Sequence, residues 1–144
     1  MASIFCFSLA RAHTAIVTSY LDQVSWNEQG LAPAIAVDAT SDKLLMQAWV
    51  NREALATAVA EKRAVYWSRS RGKLWCKGEE SGNVQQLIEI RLDCDGDAIC
   101  YRVEQVGGIA CHTGRANCFY QRLENEAWVT IDKVLVEPEQ LYRT

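Results

Sequence analysis

Residues 88–104 read IEIRLDCDGDAICYRVE, and the pattern of this stretch decides the fold. Ile88, Ile90 and Leu92 alternate with Glu89 and Arg91, while Ile99, Tyr101 and Val103 alternate with Cys100, Arg102 and Glu104. Successive side chains on a strand point to opposite faces, so each half predicts a strand. The Asp95-Gly96 pair between them is a strong hairpin signal.

The chain keeps this character on both sides of the hairpin. Residues 64–67 and 73–76 predict two strands joined by a turn at Arg71-Gly72. Before them, Asn51 is a helix N-cap followed by REALATAVAEKR, with Glu53 in the first turn and Lys62 and Arg63 in the last. Residues 33–37 and 44–50 predict strands, and 27–30 and 39–43 predict turns. Downstream, 119–123 and 128–131 predict strands and 138–142 a helical turn. The sum is an α+β fold, strand-rich, with one principal helix. A length of 144 residues suits a single domain with a real core.

Composition narrows the function. Hydrophobic residues at 49% and charged residues at 23% fit a globular chain, and a net charge of -3 argues against a general nucleic-acid binder. A local reversal runs from Glu61 to Lys77, where Lys62, Arg63, Arg69, Arg71, Lys73 and Lys77 face a single acid. Such a cluster suits a small anionic ligand or, equally, a solvated basic face. No apolar run approaches the roughly 18 residues of a membrane span. Residues 1–20 lack a basic leader and a cleavage site and read as a variable extension, with the domain proper at 21–144.

Six cysteines in a chain this long and apolar predict reduced thiols of a cytoplasmic protein rather than disulfide staples. Cys6, Cys76 and Cys100 carry no polar context and read as structural. Cys94, Cys111 and Cys118 do carry one. Their C-x16-C-x6-C spacing is weak as a motif, but the last two bracket the polar loop CHTGRANC at 111–118. Three protein ligands with an open position are the arrangement of a catalytic zinc, which acidifies water. His112, beside Cys111, reads as a proton carrier, a transient ligand or a polar loop residue.

Asp93, Asp95 and Asp97 bring three carboxylates to the hairpin tip, and hard oxygen donors favour Mg²⁺ or Ca²⁺. A solvated acidic turn is the alternative. An EF-hand matches poorly, because its sixth position is Ala98 where glycine is needed and because the flanks alternate like strands. Residues 66–82, YWSRSRGKLWCKGEESG, offer Arg69, Arg71, Lys77 and Ser81 to phosphate oxygens. Trp67 and Trp75 suit either stacking on a base or the core.

These segments together resemble the phosphoribosyl-AMP cyclohydrolase family. The resemblance rests on NEQGLAPAIAVD, LLMQAWVNREAL, YWSRSRGKLWCKGEESG, RLDCDGD and VEQVGGIACHTGRANCFY, and spans about residues 27–122. Cys76 stands where the family requires no thiol, 107–109 is a local variation, and the extension is longer than usual. The resemblance implies zinc ligands at Cys94, Cys111 and Cys118 and magnesium ligands at Asp93, Asp95 and Asp97. It implies an intertwined homodimer with one zinc per subunit, each zinc shared between Cys94 of one chain and Cys111 with Cys118 of the other. It also implies a small nucleotide substrate, 1-(5-phosphoribosyl)-AMP, whose adenine ring is opened at N1–C6 in the third step of L-histidine biosynthesis. His112 would then move a proton, Trp67 would meet the base, and Arg69, Arg71, Lys77 and Ser81 would hold phosphate. The rival readings are a zinc-stabilised nucleotide-binding module without catalysis and a calcium-binding protein; neither a nucleic acid nor a membrane is expected as a partner.

Overall fold

The structure, a computed structural model, describes residues 19–142. Residues 1–18, with most of the expected extension and Cys6, lie outside the described residues.

Six strands form one sheet in the order β4-β3-β2-β1-β6-β5: β1 Ala32–Asp38, β2 Leu44–Val50, β3 Val65–Ser68, β4 Lys73–Cys76, β5 Gln85–Leu92 and β6 Ile99–Gln105. Neighbours pair antiparallel except β1 and β6, which run parallel at the centre and join residues far apart in the chain. A second, two-stranded sheet pairs β7 Gln121–Glu124 with β8 Ala127–Thr130. The helix α1, Arg52–Glu61, sits between β2 and β3, and a single turn, α2 Pro138–Leu141, lies near the end.

The core follows the alternation of the strands. Ala32, Ala34 and Ala36 of β1 are buried beside Ile99, Tyr101 and Val103 of β6, and α1, which packs chiefly on β3, adds Ala54, Leu55 and Ala58 to the same core. Tyr66 and Tyr101 are wholly buried, so their hydroxyls need partners. Tyr101 donates to the Val65 carbonyl at 3.1 Å, and Tyr66 donates to Gln85 Oε1 at 2.6 Å. Gln85 in turn donates to Gln105 Oε1 at 2.8 Å, and Gln105 donates to the Asn83 carbonyl at 2.9 Å. This chain of polar groups ties β3, β5 and β6 together under the apolar layer.

Most predicted elements stand within a residue or two of their expected places, and three differ instructively. Asn51 caps α1 as expected, its Oδ1 accepting from Ala54 N at 2.8 Å. The helix stops at Glu61, however, so Lys62 and Arg63 do not fill its last turn. Lys62 turns left-handed at φ 57° and its N–H closes on the Ala58 carbonyl. A bulge between Leu87 and Glu89 breaks the expected alternation of β5 and leaves Ile88 61% exposed. The second sheet begins at Gln121 rather than at 119, and Phe119 stays outside it, exposed.

Candidate active site

The loop between β5 and β6 holds the acidic run. It is six residues long, not the two-residue tip that Asp95-Gly96 suggests, because Asp93 closes it from inside. Asp93 Oδ1 accepts the backbone N–H of Asp97 at 2.9 Å and of Ala98 at 3.2 Å, and the Asp93 N–H donates to the Ala98 carbonyl. The Ser25 N–H clamps the loop from outside by donating to the Gly96 carbonyl at 2.7 Å.

Within this loop, ligand atoms of Asp93, Cys94 and Asp95 lie within 4.8 Å of one another, all on exposed residues. Asp97 stands beside Asp93 without joining that trio. Local desolvation would raise the Asp93 carboxyl, but the backbone N–H groups outweigh it and hold the pKa below the usual carboxylate range. A hydrogen bond shared with Asp93, together with repulsion from it, raises Asp97. The two carboxyls are pushed in opposite directions because each feels the other's negative charge and they share one hydrogen bond.

The second cluster lies in the loop of residues 111–118. The Cys111 N–H donates to the Arg115 carbonyl at 3.1 Å and the Gly114 N–H to the Cys111 carbonyl at 3.0 Å, which winds the chain into a compact turn. The Cys118 N–H donates to the Leu45 carbonyl at 2.8 Å, anchoring the far end on β2. Cys111 is buried and Cys118 is exposed, and the Cys118 thiol is in hydrogen-bonding reach of the Cys111 sulfur. Burial and the neighbouring sulfur push the Cys118 thiol up to about 12. The Thr113 hydroxyl donates to Cys111 Sγ at 3.0 Å. His112 is exposed at the same turn.

Residues beyond 130 brace this loop. Arg115 stacks 4.0 Å from the Tyr120 ring centre and donates through Nε to the Asp132 carbonyl at 2.8 Å. The Gly114 carbonyl accepts the N–H groups of Leu135 at 2.8 Å and Val136 at 3.2 Å.

The residues expected to hold substrate fall into two recesses on either side of Trp75. The larger, about 740 Å³, has Trp49, Trp67 and Trp75 in its walls with Gln29 and Arg69. The Arg69 guanidinium lies 4.6 Å from the Trp49 ring centre. The smaller, about 220 Å³, is lined by Arg71, Lys73, Lys77, Ser81 and Tyr142 among others. Lys77 is only 8% exposed, with its Nζ 5.7 Å from the Trp75 ring centre. Burial lowers its pKa, and the nearby Cys118 and Cys111 sulfurs oppose that shift. Lys77 thus lines the small recess and carries its charge within electrostatic reach of the two sulfurs.

The donors fit the ions expected of them. Paired thiols suit a soft cation such as Zn²⁺, and the carboxylate oxygens suit Mg²⁺. One chain does not assemble all three thiols: among the described residues the single trio is Asp93, Cys94 and Asp95, and Cys94 is not joined to the Cys111–Cys118 pair. Trp49, Thr113 and Tyr142 were not singled out from sequence. Only Thr113, a hydroxyl two residues after a thiol, carried any local signal.

Residues 46–120 match the phosphoribosyl-AMP cyclohydrolase family. Over 123 residues the chain is 63% identical to the phosphoribosyl-AMP cyclohydrolase of Pseudomonas aeruginosa strain UCBPP-PA14, covering 85% of this chain and 92% of that protein. The enzyme of the same name from Azotobacter vinelandii strain DJ is 59% identical over 124 residues, covering 86% of this chain and 93% of its own. That from Stutzerimonas stutzeri strain A1501 is 60% identical over 124 residues, covering 86% and 95%. Likeness of this depth makes the protein an enzyme, a hydrolase of the kind that acts on cyclic amidines. The chain belongs to the phosphoribosyl-AMP cyclohydrolase family.

Proposed function

We propose that the protein hydrolyses the N1–C6 bond of the adenine ring in 1-(5-phosphoribosyl)-AMP, giving the formimino-carboxamide ribonucleotide of L-histidine biosynthesis. The observation that carries this reading is the family match over residues 46–120, joined to a pairing of the Cys111 and Cys118 thiols within electrostatic reach of Lys77, a residue of the small recess.

Cys111 and Cys118 would hold zinc together with Cys94 of a second copy, and the bound ion would supply the Lewis acidity that readies a water for attack near neutral pH. Asp93, Asp95 and Asp97 would hold magnesium, offsetting the substrate's negative charge. Thr113 keeps the Cys111 sulfur oriented through its hydroxyl. In the reaction the water oxygen becomes the carboxamide oxygen at C6, the N1–C6 bond breaks, and the two water hydrogens end on N1 and on the exocyclic imino nitrogen, which becomes the carboxamide NH2. His112, exposed next to Cys111, delivers the N1 proton. Trp67 and Arg69 meet base and phosphate in one recess, and Arg71, Lys77 and Ser81 hold anionic oxygens in the other.

Homodimer formation gains support from the exposed apolar residues Ile88 and Leu92 of edge strand β5 and Leu123, Trp128 and Val129 of the small sheet. Thiol ligands need a reducing compartment, so the reading assigns the protein to the cytoplasm. Among the described residues no helix is long and apolar enough to cross a membrane. The test pairs metal analysis with an ultraviolet assay of ring opening. Cys111→Ser should lose zinc and turnover together; full turnover by zinc-free protein would overturn the proposal.

A further inference from the structure

From the geometry of the two recesses we infer that they divide the substrate between its arms. The small recess of Arg71, Lys73 and Ser81 takes the phosphoribosyl arm on N1, and the tryptophan-lined recess beneath Arg69 takes the ribose phosphate of the AMP arm. This rests on the activity proposed above and assigns what each recess does in it.

A phosphoribosyl-AMP carries two ribose phosphates on one flat base. Each phosphate bears about -1.5 to -2 charge at neutral pH, so holding both in one pocket would crowd like charges. The protein offers two recesses instead, both walled by Trp75: Arg69 is the cation of one, and Arg71, Lys73 and Lys77 outnumber Glu79 and Glu80 in the other. Their sizes differ in the required sense. The recess of about 740 Å³ has room and indole faces for a nucleotide end, whereas the recess of about 220 Å³ suits a ribose phosphate alone. Arg69 is the larger recess's cation, held in place against Trp49.

The order of the arms follows from bonding. The attacked carbon, C6, is bonded directly to N1, so the arm on N1 must stay close to the thiol pair. The small recess meets that condition from two directions. Tyr142 in its wall belongs to the segment whose Leu135 and Val136 N–H groups are bound to the Gly114 carbonyl inside the cysteine loop, and Lys77 in the same wall is buried and carries its charge within electrostatic reach of the two sulfurs. The larger recess has no such link and is walled by Gln29 and Leu31, just before β1, and by Ala48 and Trp49 of β2. Tyr142 thereby becomes a substrate-contacting residue supplied from beyond residues 46–120.

The experiment uses zinc-loaded protein and two probes, AMP and ribose 5-phosphate, titrated calorimetrically. Both should bind at once, neither displacing the other. Arg69→Ala should weaken AMP by about tenfold or more and leave ribose 5-phosphate unchanged, since a charge-assisted contact is lost on one side only. Arg71→Ala combined with Ser81→Ala should do the reverse. Arg69→Lys, which keeps charge but not the planar fork, should fall between wild type and Arg69→Ala for AMP alone. Competition between the probes, equal losses of both in either variant, or binding of neither at millimolar concentration would overturn the division. Turnover of the full substrate by the same wild-type sample separates the two levels: if it proceeds while the probes compete, the subsites fall and the activity stands.

Discussion

The Val136 carbonyl oxygen lies so close over Gly114 that a β-carbon on Gly114 would sit 1.8 Å from it. Gly114 is also left-handed, at φ +86°. The turn of the cysteine loop and the strap that crosses it thus occupy one space, and only a hydrogen fits between them.

Gly114→Ala should therefore destabilise the protein by about 3 kcal/mol or more, because backbone must move to admit the methyl group. Gly108 is the control: its φ is +72° but no atom lies within 4 Å of an added β-carbon, so alanine there should cost only about 1–2 kcal/mol of backbone strain. Urea unfolding curves of the two variants give the comparison, and equal losses would mean that the strap yields freely.

Zinc affinity should climb with pH. The Cys118 thiol, pushed up to about 12, is protonated across the neutral range and must release its proton to become a ligand. That thiol alone should raise the apparent affinity about tenfold per pH unit. Competition against a chromophoric chelator at several pH values measures the slope; a flat profile would remove Cys118 from the ligand set.

Tyr66→Phe deletes the hydroxyl that donates to buried Gln85 and leaves that oxygen without its donor. A loss of about 1–3 kcal/mol follows at neutral pH. Burial also raises the Tyr66 pKa well above its ordinary value. The unfolded chain then ionises first, near pH 10, so stability is fully present below that pH and declines above it. Denaturation midpoints measured through the alkaline range should fall less steeply in Tyr66→Phe than in the wild type.

Trp49 positions Arg69 rather than touching the reacting atoms. Removing the indole in Trp49→Ala should raise KM by roughly threefold to thirtyfold with a smaller change in kcat. Trp49→Phe, which keeps an aromatic face, should recover most of the loss. A fall confined to kcat would contradict the role.

Asp97→Asn relieves the repulsion of its carboxylate by Asp93 and Asp95. Without magnesium the variant should melt at or above the wild-type temperature; with saturating magnesium the order should invert. Thermal scans at both conditions decide it.

How far the sequence could be read depended on the range of each interaction. Asn51 was legible because a cap is satisfied three residues away, by Ala54 N. The end of α1 was not, because it rests on Lys62 taking a left-handed turn with no glycine to announce it. Alternation identified β5 and β6, but one bulged residue leaves the spacing of Ile88, Ile90 and Leu92 intact while turning Ile88 outward. Cys111 and Cys118 could be proposed as partners, yet nothing local tells that Lys77 lies beside them or that Trp75 parts the basic residues into two groups. Those facts arise from strand order, which periodicity does not encode.

The parallel seam between β1 and β6 has a consequence for the newborn chain. Strands β1 to β4 can pair as they leave the ribosome, but the sheet cannot be joined across its middle until residues 99–105 emerge. The two thiols of the loop appear later still, at 111 and 118. A soft ion held by both thiols would therefore be captured only once every strand of the large sheet has been synthesised.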